Sequence, residues 1–281
     1  MSLCNLVRQS NEQLSNIIRS HGTDGFFLTF EPASLQAKWY SAACQPTRNP
    51  RLLVLDSSFN PPTKAHAALL TKALDSRPGY YDASLLLLST QNADKKLTGA
   101  SIVERAQMME IMARRQESLG IPVYVGLTCQ ARFINKASEL QNWHQKQQEH
   151  QKHQYTGIEL HFILGHDTVT RLLDPKYYAP QPVKEALSPF FKNCYLICAD
   201  RPGYTKENDD DELWSTPMIR SYADRISRIS LVDYGPVASI SSTLARKTVA
   251  SISAGDEKRE TLLQFLDDDI ADYVLDAKLY Q

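Results

Sequence analysis

The stretch that most constrains this chain is Leu52-Leu53-Val54-Leu55-Asp56-Ser57-Ser58-Phe59-Asn60-Pro61-Pro62-Thr63-Lys64-Ala65-His66. Its first half is a continuous apolar run, which predicts a strand buried on both faces, as in a parallel sheet. Ser58 to Pro62 interrupt regular structure. Asn60-Pro61 signals a turn, and two prolines remove two backbone donors. Beyond Thr63, Ala65, Ala68, Leu69 and Ala73 fall on one face of a helix. Strand, tight loop and helix together present a helix N-terminus, whose unpaired N–H groups and positive dipole end suit a phosphate. Lys64 and His66, in its first turn, can add charge or donors. The chain contains neither G-x-x-x-x-G-K-[ST] nor G-x-G-x-x-G. A histidine in a first helical turn is, taken alone, more often structural or solvated.

The pattern continues as β-α-β-α-β. Ser84 to Ser89 and Pro122 to Thr128 read as buried strands, and Ser101-x-x-Glu104 between them is a capping box. A second half starts at Glu159, with strands over Leu160–Leu164 and Cys194–Ala199. Pro217–Ser227 reads as a helix and Ile229–Val232 as a short strand. Thr261–Tyr280 reads as one amphipathic helix with Leu262, Leu266, Ile270 and Val274 on its buried face. The fold class expected is α/β, a Rossmann-like doubly wound parallel sheet. Residues 1–50, a helix plus a strand at Phe26–Phe30, read as an N-terminal extension to a single domain at 51–281. A polar helical insertion is expected at about 136–157. His144, His150 and His153 invite a metal reading, but only the last two share a face, so a solvated helix is preferred and no protein metal site is expected.

Composition narrows the classes. The chain has 281 residues, 42% hydrophobic and 22% charged, with a net charge of −1. No global field draws it to nucleic acid or an anionic membrane, and no apolar run approaches the roughly 18 residues of a membrane span. Its five cysteines are scattered, without C-x-x-C. They fit a reducing compartment, cytoplasm or nucleus. Cys194 and Cys198 share a face of one strand and read as buried hydrophobes.

A second string, Ile240-Ser241-Ser242-Thr243-Leu244-Ala245-Arg246, opens another helix with more hydroxyls than one cap needs. Arg246, a turn later, could bind phosphate oxygens bidentately. A plain cap with a surface arginine is the simpler account of this string in isolation.

Taken together, the two strings resemble a known family. Ser-Phe-Asn-Pro-Pro-Thr-x-x-His is similar to the nucleotide-binding signature of nicotinamide mononucleotide adenylyltransferases, in the nucleotidylyltransferase α/β-phosphodiesterase superfamily. Thr63-Lys64-Ala65-His66 follows the eukaryotic variant of that signature. Ile240 to Arg246 resembles the family's Ile-Ser-Ser-Thr-x-x-Arg motif. The resemblance covers roughly residues 51–250. It implies transfer of AMP from ATP to nicotinamide mononucleotide, with Mg²⁺ accompanying ATP and pyrophosphate released.

It also implies residue roles. His66 and Arg246 would be catalytic. Ser58, Phe59, Thr63, His66, Ser242, Thr243 and Arg246 would bind ATP. Ser57, Lys96, Gly165, Asp167 and Arg201 would bind the mononucleotide or a ribose. The family's usual glycine is Ser57 here, and the tryptophans that sandwich the pyridine ring in eukaryotic relatives are not evident. Phe133, Tyr177 and Tyr178 are the aromatic substitutes. Another phosphate acceptor, or a non-catalytic ATP-binding module, remains open, as does a homo-oligomer.

Overall fold

The computed structural model describes residues 3, 6–7, 11–21, 25–33, 39–40, 48–91, 99–150, 157–200, 214–251 and 256–280. Among these, seven strands form one sheet: β1 (Phe27–Phe30), β2 (Arg51–Asp56), β3 (Ala83–Ser89), β4 (Val123–Thr128), β5 (Glu159–Gly165), β6 (Cys194–Asp200) and β7 (Ile226–Ser230). Their order is β1-β4-β3-β2-β5-β6-β7. All neighbours run parallel except β1 and β4.

The apolar run that opens the key stretch is β2, and both of its faces are covered. Leu53 and Leu55 pack into one core layer, Leu52 and Val54 into the other. One layer holds helices α1 (Asn11–His21), α2 (Lys64–Asp75) and α3 (Ile102–Ser118) with the C-terminal helices. The other holds α4 (Phe133–His150), α5 (His166–Leu172), α6 (Val183–Leu187), α7 (Phe190–Asn193) and α8 (Pro217–Ser221). Ser101 caps α3 as expected: its hydroxyl accepts from Glu104 N at 3.3 Å, and Glu104 Oε2 accepts from Ser101 N at 2.6 Å. Cys194 and Cys198 are both fully buried in one layer.

The chain order turns back at β2. From there the sheet grows one way through β3 and β4, and the other way through β5, β6 and β7. The crevice where two neighbouring connections diverge is where open α/β sheets bind ligands. Here it lies between the C-terminal ends of β2 and β5. Leu55 stands opposite Ile163, so Ser57 and Gly165 leave the sheet side by side.

Several elements differ from the sequence reading. The segment before residue 51 supplies β1 and buries Val7, Leu14, Phe27 and Phe30 in the main core. The polar helix is not solvated all round. His144 and Gln148 of α4 are almost wholly buried, and Trp143 and His144 pack with Trp39 and Tyr40. His153 lies outside the described residues. The helix after Pro217 ends at Ser221, and the strand begins at Ile226.

The expected C-terminal helix is two, α10 (Asp256–Leu262) and α11 (Asp268–Asp276). Leu262, Leu266, Ile270 and Val274 are nonetheless all buried. The break between the two helices has a use. Phe265 O accepts from Lys64 N at 2.9 Å, and Leu263 O accepts from Lys64 Nζ at 2.5 Å. An orphan donor of α2's first turn is thereby satisfied. Lys64, expected to add charge at an anion site, is instead tied down at the C-terminal end of α10.

Candidate active site

The loop from Ser57 to Thr63 is shaped by its own residues and clamped from behind. Phe59 has φ 42°, a left-handed conformation that side chains seldom adopt. Its ring is fully buried and lies 5.1 Å from the His66 ring. Two guanidinium groups hold the loop's carbonyls. Arg105 Nη1 donates to Ser58 O at 3.2 Å, and Arg246 Nη1 donates to Asn60 O at 2.5 Å. Burial, with the neighbouring Arg246 charge adding to it, holds the Arg105 pKa below its usual value. Asn60 Oδ1 accepts from Tyr280 Oη at 2.8 Å and from Ala100 N at 3.2 Å. Gly99, at φ 82°, packs so tightly here that a Cβ would come within 2.9 Å of the Asn60 amide. Glycine is required at that position on both counts.

His66 is the third residue of α2, and its tautomer follows from its partners. Thr63 N, an obligate donor, bonds to His66 Nδ1 at 3.0 Å, with Thr63 Oγ1 2.9 Å from the same nitrogen. Nδ1 is therefore the acceptor and the neutral ring carries its proton on Nε2. Nε2 lies 3.0 Å from Ser57 Oγ. The arrangement is a capping box in which imidazole replaces the usual carboxylate. It leaves a neutral N–H donor at the mouth of the crevice.

Two cavities open along the strand ends. A smaller one of about 290 Å³ is lined by Ser57, His66, Gly165, Asp167 and Ala199, among others. A larger one of about 410 Å³ is lined by Ser58, Arg132, Phe133, Lys136, Arg171, Tyr177 and Tyr178 on its outer part. Asp56, Ser57 and Thr168 border both. The two form one cleft with a shared wall beside His66.

Five of the twelve predicted site residues converge on this cleft. Ser57, His66, Gly165 and Asp167 face the smaller cavity and Ser58 the larger. Asp167 is 77% exposed at its side chain, so its carboxylate is open to a ligand. Gly165 has ordinary backbone angles, and a Cβ there would meet no protein atom within 4 Å. The position leaves room for a ligand, and glycine also serves there as the N-cap of α5. Phe59 and Thr63 are buried. Their side chains support His66.

Ser242, Thr243 and Arg246, on α9 (Ser242–Ser251), line neither cavity. They close onto the loop instead: Ser242 Oγ donates to Pro61 O at 2.7 Å, and Arg246 Nη2 donates to Thr243 Oγ1 at 3.2 Å. The two signature strings thus meet, though they are 186 positions apart at Arg246 and Asn60. Lys96 and Arg201 lie outside the described residues. The aromatic candidates Phe133, Tyr177 and Tyr178 are brought to one cavity. The Tyr178 hydroxyl donates to Leu172 O at 2.6 Å, and burial raises its pKa to about 12. The sequence reading missed Asp56, Arg132, Lys136 and Arg171. Lys136 and Arg171 sit on α4 and α5, and Arg132 immediately precedes α4.

The comparisons agree with this geometry. The cytidylyltransferase-like family model matches residues 54–222. A Schizosaccharomyces pombe protein provisionally described as nicotinamide mononucleotide adenylyltransferase is 30% identical over 220 residues, covering 74% of this chain and 78% of the relative. Two structures of Plasmodium falciparum nicotinic acid mononucleotide adenylyltransferase, complexed with NaAD and with APC, share the fold. Their TM-scores are 0.56 and 0.52 at 16% identity, covering 83% of this chain and 98% of each neighbour. A doubly wound sheet with this cleft and this relative defines a nucleotidyltransferase. The chain belongs to the cytidylyltransferase-like family and, within it, to the nicotinamide mononucleotide adenylyltransferases.

Proposed function

We propose that this protein transfers AMP from ATP to nicotinamide mononucleotide, forming NAD and pyrophosphate. The observation that carries the reading is the shared wall. Asp56, Ser57 and Thr168 border two adjoining cavities, with the His66 donor at their junction. A reaction joining two nucleotides needs two such sites and a donor where they meet.

ATP occupies the smaller cavity, with its triphosphate running toward the loop and α9. The acceptor occupies the larger, its ring against Phe133, Tyr177 or Tyr178. An oxygen of the acceptor's 5′-phosphate attacks the α-phosphorus. The new P–O bond forms as the bond to the β-phosphate breaks, and pyrophosphate leaves with the electron pair. The nucleophile is already anionic, so no strong base is needed. Catalysis is positioning and charge stabilisation. His66 exchanges its Ser57 partner for a nonbridging oxygen on the α-phosphate, where charge grows. Arg246 holds the β- and γ-phosphates with the donors it does not give to Asn60 O and Thr243 Oγ1. The Thr243 hydroxyl adds another donor, and Ser242, exchanging its Pro61 partner, a third.

A divalent ion such as Mg²⁺ supplies charge neutralisation across the phosphates when it arrives with ATP. The donor chemistry near the smaller cavity fits a hard cation: the carboxylates there are Asp56 and Asp167, and Asp167 is the exposed one. Lys96 and Arg201 would add cations to the bound phosphates.

The test is product formation from ATP, Mg²⁺ and a panel of phosphate acceptors. NAD should appear with nicotinamide mononucleotide, with one pyrophosphate per turnover. Turnover with a different acceptor only, or pyrophosphate release that needs no acceptor, would overturn the reading.

A further inference from the structure

Lys136 and Asp56 form an ion pair at the larger cavity, with side-chain exposures of 6% and 7%. Both line that cavity, and Asp56 reaches the smaller one as well. Stability alone gives little reason for such a pair. Taking both ions out of water is costly, and mutual attraction often fails to offset it. Lys136 is also in the first turn of α4, where the helix dipole disfavours a cation. The helix could carry a neutral residue here at less cost.

The surroundings give the charge a use. Arg132 and Arg171 also line the cavity, so its charged wall is cationic apart from Asp56. Lys136 Nζ stands 4.7 Å from the centre of the Phe133 ring, one of the aromatic walls. An ammonium has three N–H donors. The pair commits one to Asp56, next in sequence to Ser57, at the junction of the two cavities.

We propose that Lys136 receives the phosphate of the acceptor, and that Asp56 holds the ammonium in place for it. This rests on the acceptor being a mononucleotide. Two anions must approach for the reaction to occur, and a buried cation at the junction offsets their repulsion with little dielectric screening. The preference of the cavity for a phosphorylated acceptor over its nucleoside is set by Lys136.

Calorimetric titration in the presence of a nonhydrolysable ATP analogue tests this, comparing nicotinamide mononucleotide with nicotinamide riboside. In Lys136→Met the mononucleotide should bind tenfold or more weakly, with riboside affinity unchanged. Lys136→Arg should recover part of the loss. Because Lys136→Met leaves Asp56 buried and unpaired, the Asp56→Asn/Lys136→Met double variant keeps the test usable if the single variant misfolds. A folded double variant with the wild-type preference for the phosphorylated ligand overturns the proposal alone. So does equal weakening of both ligands, which marks a structural role. A wild-type protein that binds the ATP analogue but no mononucleotide overturns the functional reading, and the proposal with it.

Discussion

Tyr280 Oη donates to Asn60 Oδ1 at 2.8 Å across 220 positions of chain. Asn60 in turn gives its backbone carbonyl to Arg246. One hydrogen bond thus reaches both signature strings. Tyr280→Phe removes the hydroxyl and leaves Asn60 Oδ1 with Ala100 N. The expected stability loss is about 0.5–1.5 kcal/mol, read from denaturant melts. The functional signature should be a severalfold rise in the KM for ATP with the KM for the mononucleotide unchanged. Parallel changes in both would mean that Tyr280 acts on the fold alone.

His66→Ala should lower kcat by about 10²–10³, the usual cost of one donor to developing charge. The far-UV spectrum should stay native, because Thr63 O still accepts from the backbone of residue 66 as it does now at 2.9 Å. Near-normal turnover in this variant would remove the histidine from the chemistry.

Gly165→Ala separates ligand space from protein packing. The new methyl group meets no protein atom within 4 Å. Losing glycine's freedom in the unfolded chain and losing a good N-cap residue work in opposite directions, each by about 1 kcal/mol or less. The melting temperature should hardly move. ATP affinity should drop, measured with a nonhydrolysable analogue.

His161 sets an acid limit on stability. It is buried on β5, stacked 4.4 Å from Tyr195, with Glu159 Oε2 at 3.9 Å. Burial, followed by the Arg77 and Arg51 charges, lowers its pKa from 6.5 to about 3. Between those values the unfolded chain binds a proton that the folded chain refuses. Stability therefore falls as pH drops below about 6.5, by up to about 1.4 kcal/mol per pH unit. His161→Phe should flatten that limb in urea melts at pH 4 to 7. An unchanged slope would place the acid sensitivity elsewhere.

What the sequence disclosed followed local rules. The run Leu52–Leu55 announced a strand covered on both faces, and Ser101 with Glu104 announced a cap, because each depends on neighbours in the chain. The spacing of Leu262, Leu266, Ile270 and Val274 announced burial but not the break at 263–267. No proline or glycine marks that break. Its local sign is Asp267, the N-cap of α11, with Asp268 and Asp269 in the first turn. The carbonyls the break frees go to the distant Lys64 donors of α2. Lys136 carried no such sign. It lies in a polar stretch, and its partner Asp56 is 80 positions away. The candidate site residues that could be named were those inside recognisable strings, while Tyr280 and Arg105, which brace them, carry no local pattern.

The loop from Ser57 to Thr63 draws its supports from Arg105, Arg246 and Tyr280, and the carbonyls of Leu263 and Phe265 hold Lys64 just beyond it. Synthesis runs from the N-terminus, so a ribosome must add more than two hundred further residues before the braces are complete. A translation product halted shortly after Arg246 would display every diagnostic string and still lack a finished pocket. Truncation between Arg246 and Tyr280 should therefore yield catalytically silent protein.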